Sequence, residues 1–118
     1  MTESSVNPGA LTSVLIRTYG LAIVALASGA ERERVVLWAH AKAMPSTEEL
    51  SQLELLDQFA GLVAKSEGPT GAKMWLLSPM SDDDLWPVEA IRDGLIDRVR
   101  ESAERRALQH SSRADRDA

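Results

Sequence analysis

The segment from Ser46 to Val63 constrains this chain most. Ser46-Thr47-Glu48-Glu49 has the form of a capping box: the Ser46 hydroxyl can accept from the backbone N–H of Glu49 while the Glu49 carboxylate reaches back to Ser46. Leu50, Leu53, Leu56, Ala60 and Val63 then recur three or four residues apart, the spacing of one helical face. This predicts a helix of about five turns, closed at Gly68-Pro69. No window of the chain alternates β-branched residues, so the expected fold is all-α.

The flanks read in the same way. Residues 1–9 are polar and end in a turn pair, which suggests a flexible arm. Helices are expected at Ala10–Tyr19, ended by Gly20, at Leu21–Ser28, stopped by Gly29, and at Arg32–Ala43, which must finish before Pro45. The third should carry Val35, Trp38, Ala39 and Lys42 along one stripe. Met74 to Leu77 form a short apolar piece, and an acidic loop with Asp82, Asp83 and Asp84 leads to Pro87, a residue suited to a first helical turn. Gly94 ends that short helix. A last helix turns Leu95, Ile96, Val99 and Ala103 inward, and beyond Ala107 the chain becomes a polar, frayed tail.

Composition narrows the function classes. The 118 residues include no cysteine, which excludes disulfides and thiolate metal sites. Only two histidines, His40 and His110, are present, far apart in sequence. The net charge of −5 argues against nonspecific coating of nucleic acid. The charge is uneven: residues 46–97 hold three basic and eleven acidic groups, whereas residues 98–118 hold six basic and four acidic ones. Leu21 to Ala27 is too short to span a bilayer, and the leader before it has one cation, so the run reads as a buried helix in a cytoplasmic protein rather than a secretory signal.

Counted from Leu21, Ala25, Gly29, Val35 and Trp38 occupy positions 5, 9, 15 and 18 of a helix-turn-helix. A small residue at 5 lets the helices approach, glycine at 9 makes the turn, and apolar groups at 15 and 18 pack the second helix down. A plain helical hairpin meets the same requirements. As DNA contacts the unit offers Arg32, Arg34 and Lys42, offset by Glu31 and Glu33, and its exposed Val36 and Leu37 cannot read base edges but suit a protein interface. No catalytic constellation emerges. Three adjacent aspartates cannot converge on one ion without further ligands, and their expected task is capping the helix at Pro87. His40 has no partner carboxylate in sight, and Ser78 is not set in a nucleophile elbow.

Trp75-Leu76-Leu77-Ser78-Pro79, the acidic loop, and then Pro87-Val88-Glu89-Ala90-Ile91-Arg92-Asp93-Gly94 and Val99 resemble the toxin-binding domain of Xre/MbcA/ParS-type antitoxins. Upstream, Gly29 through Val35, Trp38 and Pro45 is similar to the degenerate Xre-like helix-turn-helix of those proteins. Together the two stretches cover residues 11–103. The resemblance implies a helix-turn-helix region with a long connecting helix over 10–67, a small helical toxin-binding domain over 68–107, and a polar tail over 108–118. It also implies a function without catalysis or cofactor: an antitoxin of a type II toxin–antitoxin module that occludes the NAD-binding cleft of a RES-domain toxin, or of a related ADP-ribosylating toxin. The helix-turn-helix of such proteins can repress the shared operon through operator DNA.

Carried over by position, the toxin-facing residues are Asp82, Asp83, Asp84, Leu85, Trp86, Arg92, Asp93, Gly94 and Arg98, whereas Trp75, Leu76 and Ile91 are expected to pack inside. An acidic segment complements a cleft built for a dianionic pyrophosphate. Trp86 serves equally as an anchor in a partner or as packing against Pro87. Arg92-Asp93-Gly94 also reads as a helix-ending turn with a local ion pair. The loop before Pro87 is one residue shorter than the family pattern, and Ala41 stands where that pattern often has glycine. The competing function is a stand-alone Xre-like DNA-binding regulator, and in either case exposed apolar stripes favour a homodimer.

Overall fold

Six helices form among residues 7–80 and 84–117, the part of the chain that the computed structural model describes. They are α1 Pro8–Tyr19, α2 Leu21–Ser28, α3 Arg32–Ala39, α4 Thr47–Leu76, α5 Pro87–Arg92 and α6 Ile96–Asp117. No strand occurs among the described residues, so the fold is all-α.

Three helix ends differ from the sequence expectation, each for a local reason. Asn7, placed in the arm, is the N-cap of α1: its Oδ1 accepts from the N–H groups of Gly9 and Ala10, at 3.0 and 3.2 Å. Pro8 follows at the first helical position, where a missing N–H costs nothing. The third helix stops at Ala39 rather than Ala43. Ala41 adopts a left-handed conformation, φ 58°, and Lys42 N–H donates to the Leu37 carbonyl while Ala41 N–H donates to that of Trp38. This pair of bonds is a Schellman ending, usually built on glycine. Finally, α6 does not fray at Ala107 but runs on to Asp117. Its Arg, Glu, Ala and Leu residues are good helix formers, and Glu101 and Arg105 form an ion pair one turn apart.

The capping box forms as expected, with Ser46 Oγ accepting from Glu49 N–H at 3.1 Å and Glu49 Oε1 accepting from Ser46 N–H at 2.8 Å. Leu53, Leu56, Ala60 and Val63 are fully buried, joined by Phe59. Gly68, at φ 80° and ψ 170°, breaks α4 into two arms, and Pro69 starts the second. Met74 to Leu76 therefore belong to a helical arm. Two contacts from α6 straddle this bend. Arg106 forks the Glu67 carboxylate before it, at 2.5 and 3.0 Å, and Ser102 Oγ accepts from the Trp75 indole N–H after it, at 2.9 Å.

The apolar side chains form one core. Leu15, Val24, Val35 and Trp38 from the first three helices are continuous with Leu56, Leu76, Val88, Ile91, Val99 and Ala103. The helix-turn-helix region and the second-half helices are thus packed together, α2 against α5 and both against α4. Ile96 was expected inward but is 39% exposed at the start of α6, whereas Val99 and Ala103, one turn apart, take the buried face.

Candidate functional site

The segment joining α4 to α5 is tied at both ends. Ser78 N–H donates to the Trp75 carbonyl, and Met80 N–H donates to the Leu85 carbonyl at 3.0 Å, which draws the two ends of the loop together. Trp86 is the N-cap of α5, its N–H donating to Glu89 Oε1 at 3.1 Å, with Pro87 at the first helical position. Asp82 and Asp83 lie outside the described residues. Asp84 is exposed and stands two residues before the cap, so α5 is capped through Glu89 rather than by Asp84. Leu85 is half-buried. Pro87 and Val88 are buried, while Trp86 keeps 37% of its surface exposed; Leu77, at 40%, also faces solvent. Trp75, Leu76 and Ile91 are internal.

At the other end of α5, about 9 Å along a six-residue helix, lies Arg92-Asp93-Gly94. Arg92 Nε donates to Asp93 Oδ1 at 3.0 Å, and this bond, with burial opposing it, holds the guanidinium above its ordinary range. Gly94 has φ 75°. Leu95 N–H reaches the Ala90 carbonyl at 2.9 Å and Gly94 N–H that of Ile91 at 3.1 Å, a second Schellman ending. The helix-ending turn with its local ion pair is therefore present. Gln52, a buried polar residue of α4, donates from Nε2 to the Arg92 carbonyl at 2.6 Å and fixes this turn from below. A Cβ on Gly29 would meet Arg92 Cγ at 3.3 Å, so the glycine lets α2 approach α5 as well as turning toward α3. Arg98 is exposed in the first turns of α6.

The positions counted from Leu21 have the burial that a helix-turn-helix and a plain helical hairpin both require. Ala25, Val35 and Trp38 are buried and Gly29 is left-handed at φ 71°. The three cations named for DNA differ in their surroundings. Arg32 is exposed at the start of α3. Lys42 is exposed but lies beyond the helix, past the Ala41 turn, and so is not on the stripe with Val35 and Trp38. Arg34 is already engaged: its guanidinium sits 5.2 Å from the Trp38 ring centroid and forks Glu49 at 2.6 and 3.0 Å. Burial raises the Glu49 carboxyl pKa, but bonds from the Ser46 backbone, from Arg34 and from the Ser46 hydroxyl outweigh it and hold the pKa below the usual carboxylate range. The exposed face of α3 presents Glu33, Val36 and Leu37.

Among the described residues no group of three or more His, Cys, Asp or Glu side chains is placed to hold a metal ion. His40 Nδ1 lies 2.9 Å from the Val36 carbonyl, and Ser78 Oγ donates to that of Met74. No described helix is long and apolar enough to cross a membrane. Sequence reasoning missed Gln52, the Arg34–Glu49 fork and the Glu67–Arg106 fork, which join residues far apart in the chain. A polar residue inside the apolar stripe of α4 was the one available signal for Gln52. Comparison with protein-family models, with curated proteins and with solved structures gives no match.

Proposed function

We propose that this chain is the antitoxin of a type II toxin–antitoxin module and that it neutralises a RES-domain, NAD-consuming toxin, or a related ADP-ribosylating one. In this reading it covers the partner's NAD-binding cleft with the surface around α5. The observation that carries the proposal is the half-exposed Trp86 at the N-cap of α5, held by Glu89, with acidic Asp84 before it and the Arg92-Asp93-Gly94 turn at the far end of the same short helix. The Trp86 backbone is held at the N-cap, a tryptophan side chain has only two rotatable bonds to order on docking, and interface hot spots are enriched in tryptophan. The negative balance of residues 46–97 complements a cavity that must attract pyrophosphate. The chain works as a cytoplasmic homodimer in this account.

Co-expression with the product of the adjacent gene tests it. Rescue of growth and a complex that survives purification are expected, with both reduced by Trp86→Ala. Absence of rescue and of a complex contradicts the proposal. A second reading, regulation of its own operon through DNA, is favoured by the left-handed turn at Gly29 and by exposed Arg32. Gel shifts on the chain's own promoter at several salt concentrations discriminate, since phosphate contacts weaken steeply with salt.

A further inference from the structure

We propose that the groove between α1 and α3 is a docking site for an acidic amphipathic helix of a partner protein. Its floor is apolar, made by Ile16 and Leu21 from one side and Val36 and Ala39 from the other, and it encloses about 390 Å³. Ser13 Oγ donates to the Ala39 carbonyl at 3.1 Å, which fixes the two walls against each other. Val36 and the neighbouring Leu37 are 37% and 42% exposed.

The rim sets the sign of the occupant. Arg17 and His40 line the groove, no carboxylate does so among the described residues, and exposed Lys42 follows two residues after His40. Glu33 stands on the same face of α3 but one turn before Val36 and outside the lining. The eight residues of α3 are about 12 Å long, enough for anchors one and two turns apart on a docked helix. This is the face that a helix-turn-helix protein would turn to DNA. Here Val36 and Leu37 have no donors for base edges, so the face lacks the side chains that read a duplex. An apolar floor rimmed by Arg17, with exposed Lys42 nearby and no carboxylate among the described lining residues, instead matches apolar side chains flanked by acids. The site is separate from the surface around α5 and does not depend on the toxin reading.

Fluorescence anisotropy with the full chain provides the test. The probe is a short synthetic helix with leucines along one face and glutamates on the other, compared with the same peptide carrying lysine for glutamate. The glutamate peptide is expected to bind about tenfold tighter than the lysine peptide. Arg17→Glu should reverse that order, and Val36→Ser with Leu37→Ser should weaken both peptides more than tenfold with an unchanged thermal melt. Equal affinity for the two peptides, or binding that ignores the serine variants, overturns the proposal. So does displacement of the peptide by duplex DNA, or a dimer that dissociates in the serine variants, since either shows a different occupant.

Discussion

Arg34 and Glu49 join α3 to the first turn of α4 through two parallel bonds, Nη1 to Oε2 at 2.6 Å and Nη2 to Oε1 at 3.0 Å. The same carboxylate accepts from Ser46 N–H, so one side chain both caps α4 and clamps α3. Arg34 also stacks on Trp38, whose ring is fully buried. Replacing Arg34 by lysine keeps the charge but loses the planar fork and most of the stacking. Arg34→Lys and Arg34→Ala should therefore destabilise by similar amounts, about 1 kcal/mol. Urea unfolding midpoints check this, and a lysine variant as stable as the parent would refute it.

The lowered Glu49 pKa makes stability depend on pH in a defined direction. Between the folded pKa and the ordinary value of about 4.3, the unfolded chain binds more protons than the native one, so stability rises with pH. The contribution is complete above the ordinary value and is lost as pH falls through the folded one. Glu49→Gln keeps a side chain able to cap but removes the charge. Its stability, followed from pH 7 down to pH 3, should fall less steeply than that of the parent.

Two glycines of α4 respond oppositely to alanine. Gly61 lies in the first arm with nothing within 4 Å of a Cβ, so Gly61→Ala should stabilise by about 0.5–1 kcal/mol through helix propensity. Gly71 follows the bend, where a Cβ would overlap that of Glu67, a residue held in place by Arg106. Gly71→Ala should cost about 1–3 kcal/mol by overpacking. Thermal melts of the two single variants distinguish them by sign.

Ala41 carries a left-handed backbone in a position that glycine occupies without steric cost. Ala41→Gly should stabilise by about 1 kcal/mol and raise the melting temperature by about 4 °C. An unchanged or lowered melting temperature would show that the turn after α3 relaxes in solution.

Much of the fold was legible because its signals are local. The capping box at Ser46, the stops at Gly20 and Gly29, Pro87 at a first turn and the leucine spacing of α4 act within a few residues of themselves. The helix ends that differ from the sequence expectation have weaker local signals. Asn7-Pro8-Gly9 reads equally as a turn and as a cap followed by a first turn, and Ala41 gives no warning of a left-handed residue. Ile96 faces outward because apolar character alone does not fix the rotation of a helix; Val99 and Ala103 decide it. For the candidate site, the positions of Trp86 and the Arg92 turn follow from Pro87 and Gly94. That Arg34 is occupied by Glu49, and that Gln52 holds the Arg92 carbonyl 40 residues away, depends on tertiary packing that no spacing encodes.

In the proposed function the surface around α5 enters another protein's nucleotide cleft. The most direct measurement is NAD turnover by the product of the adjacent gene, the proposed partner, titrated with the chain at several NAD concentrations. Turnover should fall to background near stoichiometric amounts, NAD should compete with the inhibition, and Trp86→Ala should weaken it about a hundredfold while leaving the thermal melt intact. Turnover that stays constant at a large excess of the chain, or inhibition indifferent to NAD and to Trp86, would contradict the account.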